Sequence, residues 1–319
     1  MFDTIKNINL QLFAEMNTQT TGTSSLSPEM KTFYSDYLID NAIPKLVHDQ
    51  FGQKHPIPKN GGKTIEFRKY SPLPKLLSPL TEGVTPDGQT LTVTKLEATV
   101  AQYGGYITLS DVLLLTAIDN NLVQATKLLG NQAGATLDTI TREVLNGGTN
   151  VIYAGGVSSR GALADNLTVE DIKKAARALK TQNAEKIGDS FVAIIHPDVA
   201  YDLTNDPKWE AVKTYDPKDW YEGEIGRIAG VRFVETTEAK IFDGGVYSTL
   251  VLADNAYGVT EIEGGGLEHI TKQLGSAGTA DPINQRATVG WKATKCAERL
   301  VEQFMVRIES KCTFEGAAN

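Results

Sequence analysis

From Asp119 to Asn146 the apolar residues Leu122, Ala125, Leu129, Ala133, Leu137, Ile140 and Val144 recur every three or four positions, the spacing that lines one face of an α-helix. The run closes on Asn146-Gly147-Gly148, a C-terminal stop, and predicts a rod of about 40 Å. Gly130 and Gly134 interrupt it, each costing ~1 kcal/mol against alanine unless a surface packs closely there; a close helix-to-sheet contact is the expected reason. A shorter helix is expected after Thr168-Val-Glu-Asp171, a capping-box-like opening, with Ile172, Ala175, Ala176 and Leu179 on its buried face. Another should begin at Ser27-Pro28-Glu29, bury Phe33, Tyr37 and Leu38, and end or kink at Pro44.

Strand patterns surround these helices. Phe191 to Ile195 is apolar at every position, as in a central strand covered on both faces. Val231 to Val234 and Tyr247 to Leu252 read alike, and the alternation of Val289, Trp291 and Ala293, then Phe304, Val306 and Ile308, predicts two late strands. Between Ile65 and Tyr106 a strand (Thr64 to Arg68) enters the proline-rich SPLPKLLSP, passes an Asp87-Gly88 turn signal and returns along Leu91 to Tyr103. Leu91 and Val93 share one parity, whereas Leu96, Ala98 and Val100 share the other, so a bulge or twist near Lys95 should switch the buried face. A ribbon this long is marginal in water and asks for a covering partner.

Composition narrows the function classes. The 319 residues are 41% hydrophobic and 22% charged, an ordinary globular balance with room for two domains. A net charge of −8 opposes tight binding of nucleic acid, which needs a basic face. At the N-terminus, Asp3, Lys6, Asn7 and Asn9 break any signal-peptide core, and NTQTTGTSS follows as a flexible connector. The expectation is a mobile arm that is neither secreted nor membrane-spanning.

Candidate chemistry is sparse. His196-Pro197-Asp198 leaves a buried strand in the way an acid/base pair or metal site would. Those residue types also suit a strand-to-helix corner, because Pro197 has no amide hydrogen to lose at the first helical position and Asp198 favours the positive helix end. The corner is read as structural, with catalysis by His196 and Asp198 the alternative. Gly-Lys-Thr at 62–64 lacks the earlier glycine of a phosphate loop, Ile57 standing in its place. Cys296 and Cys312 form no CxxC pair, and His48, His55, His196 and His269 lack metal-ligand spacing. No catalytic, cofactor or metal residue is assigned.

Long runs of the chain resemble the major capsid proteins of tailed phages, in the family typified by N-four-like phages. They include KLVHDQFGQKHPIPKNGGKTIEFRKYSPLP, LTEGVTPDGQTL, QYGGYITLSDV, LDTITREVLNGG, IIHPDVAYDL, RIAGVRFVETTEA, GLEHITKQLGSAGTADPINQRATVGWKA and ERLVEQFMVRIES. The resemblance implies an α+β fold of the Hong Kong 97 type. Its parts would be an N-terminal arm (1–58), an extended β-hairpin loop (63–105), a peripheral domain (106–165) with a spine helix (119–146), an axial α/β domain (166–281), and strands (282–319) returning to the peripheral domain. The implied function is a structural one: self-assembly into hexamers and pentamers of an icosahedral head enclosing double-stranded DNA, without sequence-specific binding or a membrane. A scaffolding protein and a portal would be partners, assembly would take place in the host cytoplasm, and the virion would be the final location. A cellular nanocompartment shell of the same fold is the runner-up. Some proteins of this fold join subunits covalently through lysine and asparagine; no matching motif stands here. Arg68, Lys69, Lys75, Glu82 and Asp87 are the expected inter-subunit charges on the extended loop.

Overall fold

The computed structural model describes residues 18–19, 47–79, 82–83, 85, 87–116, 121–209, 226–276, 278, 281–314 and 316–319. The expected helix from Ser27, its end at Pro44, most of the N-terminal arm and the helix start at Asp119 lie outside them. In chain order the strands are β1 (Thr18–Gln19), β2 (Gln53–Lys54), β3 (Thr64–Tyr70), β4 (Val93–Thr99), β5 (Ala101–Ser110), β6 (Val151–Tyr153), β7 (Phe191–Ile195), β8 (Arg227–Ile228), β9 (Val231–Glu235), β10 (Ile241–Phe242), β11 (Val246–Leu252), β12 (Tyr257–Thr260), β13 (Glu268–Lys272), β14 (Arg286–Arg299) and β15 (Met305–Ser310). The helices are α1 (Asp111–Thr116), α2 (Asn121–Asn146), α3 (Val169–Thr181) and α4 (Pro197–Thr204).

The chain divides into two compact units. The first takes residues 1–41, 104–133 and 268–292. Here β13 runs antiparallel to β14, from Glu268 opposite Lys292 to Lys272 opposite Thr288, and β1 lies parallel to β5. Gly104 and Gly290 let backbones approach: a Cβ on Gly104 would fall 2.6 Å from the Trp291 carbonyl oxygen, and one on Gly290 2.8 Å from Cβ of Tyr106. The Trp291 indole N–H donates to Gln132 Oε1 at 3.1 Å, satisfying a buried donor.

The second unit takes residues 42–103, 134–267 and 293–319. Its seven-stranded sheet has the order β6-β15-β11-β7-β9-β8, with β10 on β11. β7 is central and buried at all five positions, parallel to β9 and antiparallel to β11. Alternate residues Phe191, Ala193 and Ile195 meet Ile172, Ala176 and Leu179 of α3 and Val199 and Leu203 of α4. The opposite parity, represented by Ile194, meets Leu145 of α2, Leu250 and Tyr257. This two-sided cover is the reason β7 carries no alternation.

Four local expectations change. The ladder of β3 and β4 runs unbroken from Thr64 opposite Thr99 to Tyr70 opposite Val93, so there is no bulge near Lys95, which faces Arg68. Ile65, Phe67, Leu96 and Ala98 form the half-covered face, while Leu91 and Val93 are exposed; the parity change marks where the cover under the ribbon ends. The described turn in the long connection is at Glu82-Gly83, where Gly83 has φ +74, rather than at Asp87-Gly88. The Thr168 hydroxyl donates to the Asp171 carboxylate at 2.7 Å instead of accepting from a helix amide, and the Val169 amide is taken by Asp206 at 3.0 Å. Phe304 sits in a 3-10 turn, Glu302–Phe304, and β15 lies between β6 and β11 in the sheet that holds β7.

Candidate assembly site

The ribbon formed by β3 and β4 holds its ladder as far as the bond from the Ser71 amide to the Thr92 carbonyl, 3.0 Å. Beyond it, Pro72, Pro74 and Pro79 fix φ and remove amide donors, which suits a chain held open instead of paired. Leu76 and Leu77 are 79% and 86% exposed, joined by Tyr70, Leu73, Leu91 and Val93. Exposed apolar side chains this frequent along one ribbon and its connection are the kind of surface that other protein covers.

The five charged residues assigned to this loop are all exposed. Arg68 is paired within its own strand, Nε to Glu66 Oε1 at 2.9 Å, which holds the Glu66 carboxyl below its ordinary range. Lys69 borders a small groove of about 360 Å³ shared with Glu298, Arg299 and Glu302. Lys75, Glu82 and Asp87 make no ion pair among the described residues.

The sequence reading missed what fixes the ribbon's base. The His48 amide donates to Asp138 Oδ1 at 2.8 Å, and its ring Nδ1 lies 2.6 Å from Oδ2. One residue on, Asp49 accepts from the Thr141 hydroxyl at 2.5 Å and pairs with Lys295 of β14, whose ammonium also donates to the Leu137 carbonyl at 2.8 Å. The Tyr257 hydroxyl donates to the His48 carbonyl. Burial pushes the Lys295 ammonium below its ordinary pKa, with Asp49 opposing, and burial likewise pushes the Tyr257 phenol up. Val47 and Phe51 add apolar contact to the cluster around Leu145 and Tyr257. Ile57 then bonds through its backbone to Glu261 and Glu263, each at 2.8 Å, and His55 stacks edge-on to Phe67 of β3 at 5.4 Å. Residues 47–57, assigned from sequence to the arm, are therefore built into the packed base from which the ribbon leaves. Lys295 carries the one legible signal: it occupies the inward parity of β14 between Ala293 and Ala297, both buried.

The His196 corner is a helix cap. His196 is the N-cap of α4, its Nδ1 accepting from the Asp198 amide at 3.2 Å with Pro197 at the first helical position. Asp198 accepts from the Tyr247 hydroxyl at 2.8 Å, and the His196 and Tyr247 rings lie 5.2 Å apart. These contacts close the corner, and the Tyr247 hydroxyl also lies 3.4 Å from the Phe314 carbonyl. Lys59 and Asn60 form a turn that Gly61 closes, its amide donating to the Pro58 carbonyl at 2.9 Å. Cys296 and Cys312 are unpaired thiols, and burial pushes Cys312 up to about 12, which disfavours the reactive thiolate. Among the described residues no group of three or more His, Cys, Asp or Glu could hold a metal ion, and no helix is long and apolar enough to cross a membrane.

The comparisons with known proteins bear on this geometry. No curated protein matches the chain. The capsid of cyanophage P-SCSP1u superposes with a TM-score of 0.66 at 13% identity, over 92% of this chain and 93% of that one. The capsid of cyanophage Pam1 gives 0.66 at 14%, over 95% and 100%. A virus-like particle from Pyrococcus furiosus gives 0.51 at 13%, over 86% and 97%. The fold is thus the α+β, Hong Kong 97-type capsid fold. A family model described as phage capsid protein matches residues 93–297, a span that takes in β4 of the ribbon, α2, the central sheet strands β7, β9 and β11, and most of β14. With well over half of its length matched, and an exposed apolar ribbon on a packed base, this chain belongs to the phage capsid protein family.

Proposed function

We propose that the chain is the major capsid protein of a tailed phage, assembling into hexamers and pentamers of an icosahedral head around double-stranded DNA. The observation that carries this reading is the ribbon, whose exposed leucines are left open among the described residues although its base is fixed by the buried His48–Asp138 contact and the Asp49–Lys295 ion pair. A second copy is the partner every subunit meets. Contacts around a closed ring are heterologous, and a subunit that touches several neighbours gains avidity from modest individual interfaces. Arg68, Lys69, Lys75, Glu82 and Asp87 would add charge pairs to neighbouring copies, each worth ~0 to 1 kcal/mol if solvated. The arm, loop, peripheral and axial divisions are the domains of this reading, with residues 47–57 counted with the ribbon's base rather than the arm, and β15 counted with the sheet that holds β7. A scaffolding protein and a portal are the implied helpers in the host cytoplasm, and the virion shell is the destination.

The likeness to a virus-like particle favours a second reading, a nanocompartment shell; extracted DNA rather than an enclosed protein cargo separates the two. The principal test is negative-stain microscopy of the chain alone and with scaffold, beside a variant in which a short Gly-Ser link replaces residues 71–92. Particles from the full chain and none from the variant are expected. Monomers of the full chain under every condition, or equally robust particles from the variant, overturn the reading.

A further inference from the structure

Helix α3 turns Ile172, Ala175, Ala176 and Leu179 toward the sheet and leaves Lys173, Arg177 and Lys180 exposed. These three stand at i, i+4 and i+7, a single stripe of about 10 Å along the helix. They border an open groove of about 630 Å³ whose far wall is the Ala229-Gly230 turn between β8 and β9. The carboxylates at the start of the same helix are already engaged: Asp171 holds Lys174 at 2.9 Å, and Glu170 pairs with Lys208 at 3.4 Å. Lys173, Arg177 and Lys180 make no ion pair among the described residues.

A row of cations with no ion pair among the described residues is notable in a chain with 39 acidic and 31 basic residues. Copies carrying −8 each repel as they approach, so stable contact requires local pairing of opposite sign, which also fixes register. A stripe of three is short for a nucleic-acid track, and the surplus of carboxylates puts the complementary charge on the chain itself. We propose that this groove is a contact between copies, receiving carboxylates of a second copy of the chain in the shell. The proposal rests on the shell reading and adds to it a surface outside the ribbon.

The test compares wild type with the triple variant K173E/R177E/K180E, whose exposed positions leave the fold of the free subunit unchanged by circular dichroism. Wild-type assembly followed by light scattering is expected to slow with added salt, and the variant to assemble at least tenfold more slowly. In parallel, particles grown from mixed nitrogen-14 and nitrogen-15 subunits are treated with a zero-length carbodiimide and digested. Mixed-label peptides joining Lys173 or Lys180 to an Asp or Glu of another copy support the proposal. Assembly of the variant at the wild-type rate and salt dependence overturns it, as do crosslinks confined to one copy or none at these lysines. Normal variant shells that retain less DNA overturn it in favour of a nucleic-acid surface. Formation of wild-type particles in the same preparation keeps the shell reading separate from each of these outcomes.

Discussion

His48 presents both its amide and its ring Nδ1 to the carboxylate of Asp138, at 2.8 and 2.6 Å, with both residues fully buried. Removing the carboxylate strands two polar groups where water cannot reach them. Asp138→Ala should therefore lower stability by about 3 kcal/mol, read as a loss of melting temperature in the free subunit, with protease cutting first near residues 47–57.

Lys295 and Asp49 form a pair with most of its surface removed from water. Lys295→Met alone leaves Asp49 without its cation and should cost about 3 kcal/mol. The double variant Asp49→Asn with Lys295→Met removes both charges and should recover most of that loss, because desolvation of the pair disappears with it. Denaturant midpoints of the four proteins in the cycle give the coupling directly.

His196 caps α4 through an unprotonated Nδ1, and burial holds its pKa below the ordinary 6.5 despite the opposing pull of Asp198. The unfolded chain thus takes up a proton first as pH falls through 6.5, and this contribution to stability is lost from there down to the folded pKa. His196→Asn, which retains a capping oxygen, should flatten that part of the stability curve between pH 7 and pH 5 in thermal melts.

The two-residue turn of β8 and β9 places Ala229 at φ +55 and Gly230 at φ +83. Both values belong to a type I′ hairpin turn, which favours Asn or Gly at the first position. Ala229→Asn should stabilise the subunit by roughly 0.5 to 1 kcal/mol, visible as a higher melting temperature.

Much of the fold was legible because its periods were strong. The stripe of α2 from Leu122 to Leu137, the unbroken apolar run of β7 and the alternation of β14 each have one physical solution, and the structure takes it. Past Leu137 the buried positions of α2 include Asp138, Thr141, Arg142 and Leu145, with Ile140 and Val144 half-buried. The ribbon was legible for the opposite reason: its prolines and surplus of outward leucines suit no self-contained hairpin. The base escaped notice because it depends on pairs 90 and 246 residues apart, His48 with Asp138 and Asp49 with Lys295. No local pattern encodes such a distance. Lys295 at an inward position was the accessible clue. The expected bulge at Lys95 is absent because Leu91 and Val93 need no return to the covered face: in the unbroken ladder they stand on the opposite face, exposed.

The segment 47–57 and the ribbon leave a common root, joined by the contact of His55 with Phe67 and the backbone bonds of Ile57. A pull applied by an adjoining subunit at the ribbon's tip arrives first at this root, where it meets buried side-chain links and paired amides in place of solvated ones. Load passed from copy to copy would accordingly travel along the main chain into the sheet, with the outermost leucines carrying it in series with this root.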